Sequence, residues 1–141
     1  MAVRVKLRIS LGDKIVSASA LVNSGYEADT PQLMIPIALA KHLGLWPPEN
    51  AEEDLFDTAG GPLNVWICRN AADVAVISEA GESKEVRADI VISALADEVV
   101  ISDILAGELE IAIEDPASGF WRFRWEPKDS LRRTERPQRW R

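Results

Sequence analysis

Asn23-Ser24-Gly25 is the tripeptide of this chain best placed to do chemistry. It follows the apolar run Ala20-Leu21-Val22. A strand that ends in two small polar residues and a glycine presents their side chains on a tight turn. With Asp at position 23 the frame would offer a carboxylate for general acid–base work. Asn23 offers an amide instead, which donates and accepts hydrogen bonds but exchanges no proton at ordinary pH. The nearest acids are Glu27 and Asp29, which read as solvated loop charges or, beside the turn, as substitute bases. Asp57-Thr58-Ala59-Gly60 spells Asp-Thr-Gly with one residue inserted, within a glycine-tipped hairpin. Cys68 and His42 are the sole cysteine and histidine, too few for a zinc site. Cys68, in an apolar run, is expected buried and inert, and His42, beside Lys41, solvated. No metal and no cofactor is expected.

The elements that must position the turn are mostly strands. Val3, Val5, Leu7 and Ile9 alternate with Arg4, Lys6, Arg8 and Ser10, the period-two pattern of a half-buried antiparallel strand. Leu11 to Lys14 turns the chain, and Ile15 to Val22 returns it, becoming wholly apolar just before Asn23. Pro36 suits the first turn of a short helix and Gly44 its end, with Trp46-Pro47-Pro48 stopping it. Glu49 to Asp54 reads as an acidic linker. Leu55–Thr58 and Leu63–Ile67 read as a hairpin around Ala59-Gly60-Gly61-Pro62, with Trp66 on its second arm. Residues 72–78, 86–93 and 99–101 read as further strands, Asp103 to Gly107 as one helical turn capped by Ser102 or Asp103, and 109–114 and 120–125 as a final strand pair. Trp46, Trp121 and Trp125 read as core or interface anchors. Many short strands, frequent turns and one or two short helices predict an all-β, barrel-like domain.

This order of elements resembles the retroviral-type (retropepsin-like) aspartic proteases in their single-domain microbial form. The shared features are two opening strands, an apolar-apolar-Asp-Thr/Ser-Gly turn, a helix of the form Leu-Ala-x-x-Leu-Gly-Leu and a glycine-tipped hairpin. An apolar segment and a short helix then precede the last strand. The likeness spans roughly residues 3–125, and its specific motif runs from Leu21 to Leu45. It implies a closed β-barrel half that a second copy completes, so that two turns meet and a flap from each subunit covers an extended peptide. By resemblance, Asn23, Ser24 and Gly25 hold the place of the catalytic turn, Ala59, Gly60 and Gly61 the flap tip, and Trp66 a flap contact to substrate.

Two positions depart from the family pattern. Asn23 stands where the family has Asp, and Ile101-Ser102 where it has Leu/Ile-Gly. The family's carboxylate pair works by sharing one proton, one acid activating water and the other protonating the carbonyl. A two-fold dimer of this chain sets Asn against Asn and keeps neither. General acid–base catalysis is worth about 10²–10⁴-fold, and water activation depends on it here. The expectation is therefore a catalytically degenerate homodimer serving as a peptide-binding or assembly module. The alternative is an active aspartic-type endopeptidase drawing its acid from Asp29, Glu27 or Asp57, or from an Asp native to position 23.

Bulk properties agree with one domain. The 141 residues are 47% hydrophobic, enough for a single core. No apolar run is long enough to span a bilayer, and Arg4, Lys6 and Arg8 interrupt the start, so the expectation is a cytoplasmic protein away from membranes. The net charge of −7 divides unevenly: Lys128, Arg132, Arg133, Arg136, Arg139 and Arg141 against Asp129 and Glu135 give residues 127–141 a balance of +4, and residues 1–126 one of −11. The acidic body argues against nucleic-acid binding except through the basic tail. Low apolar content predicts that tail, 127–141, to be disordered beside a 1–126 barrel domain.

Overall fold

The structure is a computed structural model and describes residues 1–79 and 81–141. It is mostly β, with a closed six-strand barrel and two short helices. The strands in chain order are β1 (Arg4–Leu11), β2 (Lys14–Val22), β3 (Gln32–Pro36), β4 (Glu52–Thr58), β5 (Gly61–Ser78), β6 (Gly81–Glu82), β7 (Val86–Ser93), β8 (Val99–Ile101), β9 (Ile111–Asp115), β10 (Phe120–Phe123) and β11 (Arg132–Arg133). The helices are α1 (Ile37–His42) and α2 (Asp103–Glu108). The barrel runs β1-β2-β8-β3-β7-β5 and closes where β5 returns to β1, pairing Val76 with Leu7.

Period-two patterning dictates the barrel's interior. Val5, Leu7 and Ile9 of β1 are fully buried, as are Leu33 and Ile35 of β3 and Ile90 and Ile92 of β7. Two pairings are parallel: β2 with β8 (Val22 opposite Ile101) and β3 with β7 (Gln32 opposite Asp89). In the parallel pair β2–β8, Ala20, Val22, Val99 and Ile101 face the core, while Leu21 and Val100 on the other face are half-buried. Helix α1 starts behind Pro36 at φ −67° and buries Leu39 and Ala40. It ends through Gly44 at φ +73°, the left-handed backbone that a side chain would strain.

Three details differ from the sequence expectations. The predicted strands 63–67 and 72–78 are one strand, β5, which pairs with β7 through a register irregularity between Cys68 and Ala72. Asn70 takes φ +47° there, a conformation Asn tolerates better than most residues, so the strand bends without ending. The acidic residues Glu52, Glu53 and Asp54 belong to β4 rather than to a linker. An edge strand exposed along its length tolerates such charge. Residues 127–141, expected as a disordered tail, instead run along the body. Arg132–Arg133 pair with β10 to complete a small sheet, β11-β10-β9. Glu135 N–H then donates to Arg4 O (2.8 Å), Ser19 N–H to Gln138 Oε1 (2.9 Å) and Trp140 N–H to Asp97 O (2.7 Å).

Charge and aromatic faces, rather than aliphatic content, hold this strap. Arg132 pairs with Glu126 at 2.7 Å and lies over the Trp121 and Phe123 rings. Glu98, almost wholly buried, receives both Arg4 and Arg139. Trp121 and Phe123 belong to the same core as the barrel strands, so residues 109–141 extend that core. Trp125 is exposed and stacks on Phe123 at 5.0 Å. No helix among the described residues is long and apolar enough to cross a membrane.

Candidate functional site

The end of β2 is clamped from both sides. Val22 N–H donates to Val3 O at 3.0 Å, and Asn23 N–H to Ile101 O at 3.2 Å. The next residues have no strand partner and turn at once. Asn23 Oδ1 accepts the Gly25 N–H at 3.0 Å, and Asn23 O accepts the Tyr26 N–H at 3.0 Å. A Cβ at position 25 would stand 3.2 Å from Asn23 Oδ1, so a side chain there requires the Asn23 amide to shift by a few tenths of an ångström. Asn23, Ser24 and Gly25 are all exposed in the single chain, and the Ser24 hydroxyl makes no hydrogen bond among the described residues.

The loop behind the turn is fixed by α2 and β3. Asp103 N–H donates to Tyr26 O (2.9 Å), and the Asp103 carboxylate accepts the Ala28 N–H (3.1 Å). Ser102 is fully buried, and its Oγ accepts from Gln32 N–H (3.0 Å) and Leu105 N–H (3.3 Å), so one hydroxyl caps α2 and ties it to β3. Ser102 is thus built into the scaffold. The Tyr26 hydroxyl donates to Gln32 Oε1 at 2.8 Å. Burial, followed by the neighbouring charge of Asp89, pushes its phenol far above the ordinary range.

Asp89 anchors the base of the loop. Its Oδ1 accepts the Asn70 N–H (2.8 Å), and its Oδ2 accepts from Thr30 Oγ1 (2.7 Å) and Arg69 Nη1 (2.9 Å). Burial alone would raise this carboxyl. The hydrogen bonds from Asn70, Thr30 and Arg69, with the guanidinium charge, outweigh burial and hold it below the ordinary aspartate value. Arg69 extends to Glu52 at 3.0 Å, which ties β4 to the same anchor.

Between the loop and β4 lies a cleft of about 1540 Å³, lined by Asn23 and Gly25 on one wall and by Asp54 to Ala59 on the other. Tyr26 and Phe56 approach across it with ring centroids 6.2 Å apart. Met34, Leu63, Ile67 and Val100 supply apolar surface. The tip of the β4–β5 hairpin is closed by Thr58, whose Oγ1 donates to Gly61 O (2.7 Å) and accepts the Gly60 N–H (3.2 Å). Gly61 takes φ +109°, open to glycine alone without strain.

The residues singled out from sequence therefore distribute as follows. Asn23, Gly25 and Ala59 share the cleft, with Glu27, Asp29 and Asp57. Ser24 stands exposed beside it. Gly60 and Gly61 line an adjoining cavity of about 340 Å³ with Leu95 and Asp97. Trp66 lines neither: it packs edge-to-face on Trp46 at 5.2 Å, because neighbours along a strand point to opposite faces. Cys68 is half-buried, with a thiol that burial pushes up, and His42 lies against Trp140 at 5.7 Å. Sequence reasoning missed Tyr26, Phe56, Arg69 and Asp89. The signal for Asp89 was present, since an acid inside the apolar run 86–93 has to be paired to be buried. Among the described residues no group of three or more His, Cys, Asp or Glu side chains is arranged to hold a metal ion. No protein-family model matches the chain, and no curated protein matches it.

Proposed function

We propose that this chain is one half of a homodimeric, aspartic-protease-like module that binds peptide without cleaving it. One observation supports this above the rest: Asn23 and Gly25 of the turn and Asp54 to Ala59 of the β4–β5 hairpin, far apart in sequence, line one cleft. That is the arrangement needed to hold an extended chain between a turn and a flap. The exposed turn, with an uncommitted Ser24 hydroxyl, suits contact with its own copy across a two-fold axis. Asn23 directs its carbonyl oxygen to Gly25 N–H, which leaves its amide N–H₂ to donate across that axis. Two amides so placed avoid the repulsion of two carboxylates, and they supply no base to activate water.

A second reading, a working endopeptidase, has in its favour that Glu27, Asp29 and Asp57 line the same cleft as Asn23. One comparison separates the two. The unmodified protein and its Asn23→Asp variant are incubated with a peptide mixture between about pH 3 and 7, the range in which a carboxylate pair operates. The binding-module reading expects no cleavage by the unmodified chain. Cleavage that a statine-type transition-state mimic inhibits would establish the peptidase reading instead.

A further inference from the structure

The cleft's charge and its open strand edge together specify a ligand class. Glu27 and Asp29 stand on the loop wall, and Asp54 and Asp57 on the β4 wall. Among the described residues none of these four has a Lys or Arg partner. Among the described residues Arg69 is the sole basic one lining the cleft, and it is committed to Asp89 and Glu52. Opposed carboxylates across a cleft focus a negative potential within it. The second observation is independent of charge. Among the described residues β4 pairs with no strand but β5, so its other edge is open to an added strand, with the Leu55 N–H held for now by Asp54 Oδ1 at 2.8 Å. Such an edge takes an added strand.

Resting on the reading of the cleft as a peptide site, we infer that its ligand is an extended, basic peptide in which Lys or Arg alternates with apolar residues. Added along β4, such a strand turns alternate side chains to opposite faces. Apolar side chains meet the surface formed by Met34, Leu63 and Val100, and the cations meet the carboxylates of the two walls. Pairs at exposed carboxylates are individually weak, so several must act together and salt must weaken them.

The test uses fluorescence anisotropy with three labelled, end-blocked hexapeptides. One alternates lysine with leucine, and its twins carry glutamine or glutamate in place of each lysine. The full chain is expected to bind the lysine peptide about tenfold tighter than the glutamine twin at about 0.05 M salt, to bind the glutamate twin weakest, and to lose most of the preference at about 0.5 M. The Asp29→Asn/Asp57→Asn double variant, whose exposed sites leave the core untouched, is expected to lose most of the lysine preference and keep its affinity for the glutamine twin. Equal binding of all three peptides overturns the charge inference and leaves peptide binding standing. An undiminished lysine preference in the double variant also overturns it, by placing the cations elsewhere. Failure of every peptide to bind at millimolar concentration overturns both the inference and the function it rests on.

Discussion

Replacing Asp89 with Asn tests whether one buried carboxylate holds the loop, β5 and β7 together. Asp89 accepts three hydrogen bonds, from Asn70 N–H, Thr30 Oγ1 and Arg69 Nη1. Asn is nearly the same shape but has one acceptor oxygen and one donor amide. If its oxygen faces Thr30 and Arg69, its N–H₂ meets the Asn70 N–H. If it is turned the other way, the N–H₂ meets the guanidinium. Either way a donor opposes a donor, and an unsatisfied buried donor costs about 1–3 kcal/mol. Lost charge assistance to Arg69 adds little more, because that side chain is 44% exposed and keeps Glu52. The sum is about 1–4 kcal/mol, which for a chain of this size lowers Tm by roughly 3–12 °C. The pH dependence has a definite sign. The folded carboxyl lies below its ordinary value of 3.8, so its stabilisation is complete above that value and fades as pH falls towards the folded one. Thermal melts of both proteins at pH 7, 5 and 3 read the difference. It should be equal at pH 7 and 5 and smaller at pH 3. A Tm change under about 1 °C at pH 7, or a gap that does not narrow at pH 3, would refute the anchor.

Two further predictions concern the scaffold around the turn. Ser102→Ala removes the hydroxyl that accepts from Gln32 and Leu105 N–H, inside a site with no solvent to replace it. It should cost about 1–3 kcal/mol, read as a lower urea midpoint at unchanged slope. The C-terminal strap should resist trypsin in the native state despite its arginines, because its backbone is bonded to Gly119, Arg4, the Ser19 hydroxyl and Asp97. Mass spectrometry showing rapid loss of 133–141 ahead of any cut in the barrel would contradict the strap.

What the sequence disclosed follows from locality. The alternation in Val3–Ser10, the breakers at Gly12 and Gly44 and the serine cap at 102 are signals carried by neighbouring residues, and each element formed where they placed it. The features it hid are non-local. Asp89 becomes an anchor only once β5 brings Arg69 and Asn70 beside it. The strap is ordered by Glu98, Glu126 and the Trp121 face, so a count of apolar residues within 127–141 could not reveal it. Trp66 illustrates the limit from the other side: its hairpin was legible, but whether it faced the cleft or Trp46 depended on a register no neighbour encodes. For the candidate site, the turn and the β4–β5 hairpin were both read locally, and the placing of Asn23, Gly25 and Ala59 on one cleft emerged only in three dimensions.

The central claim is that the exposed Asn23-Ser24-Gly25 turn is the middle of a two-fold assembly. Sedimentation equilibrium of the unmodified protein at micromolar concentration tests it most directly. The account predicts a species of twice the 15.6 kDa chain mass. A stable monomer of 15.6 kDa across that range would contradict it.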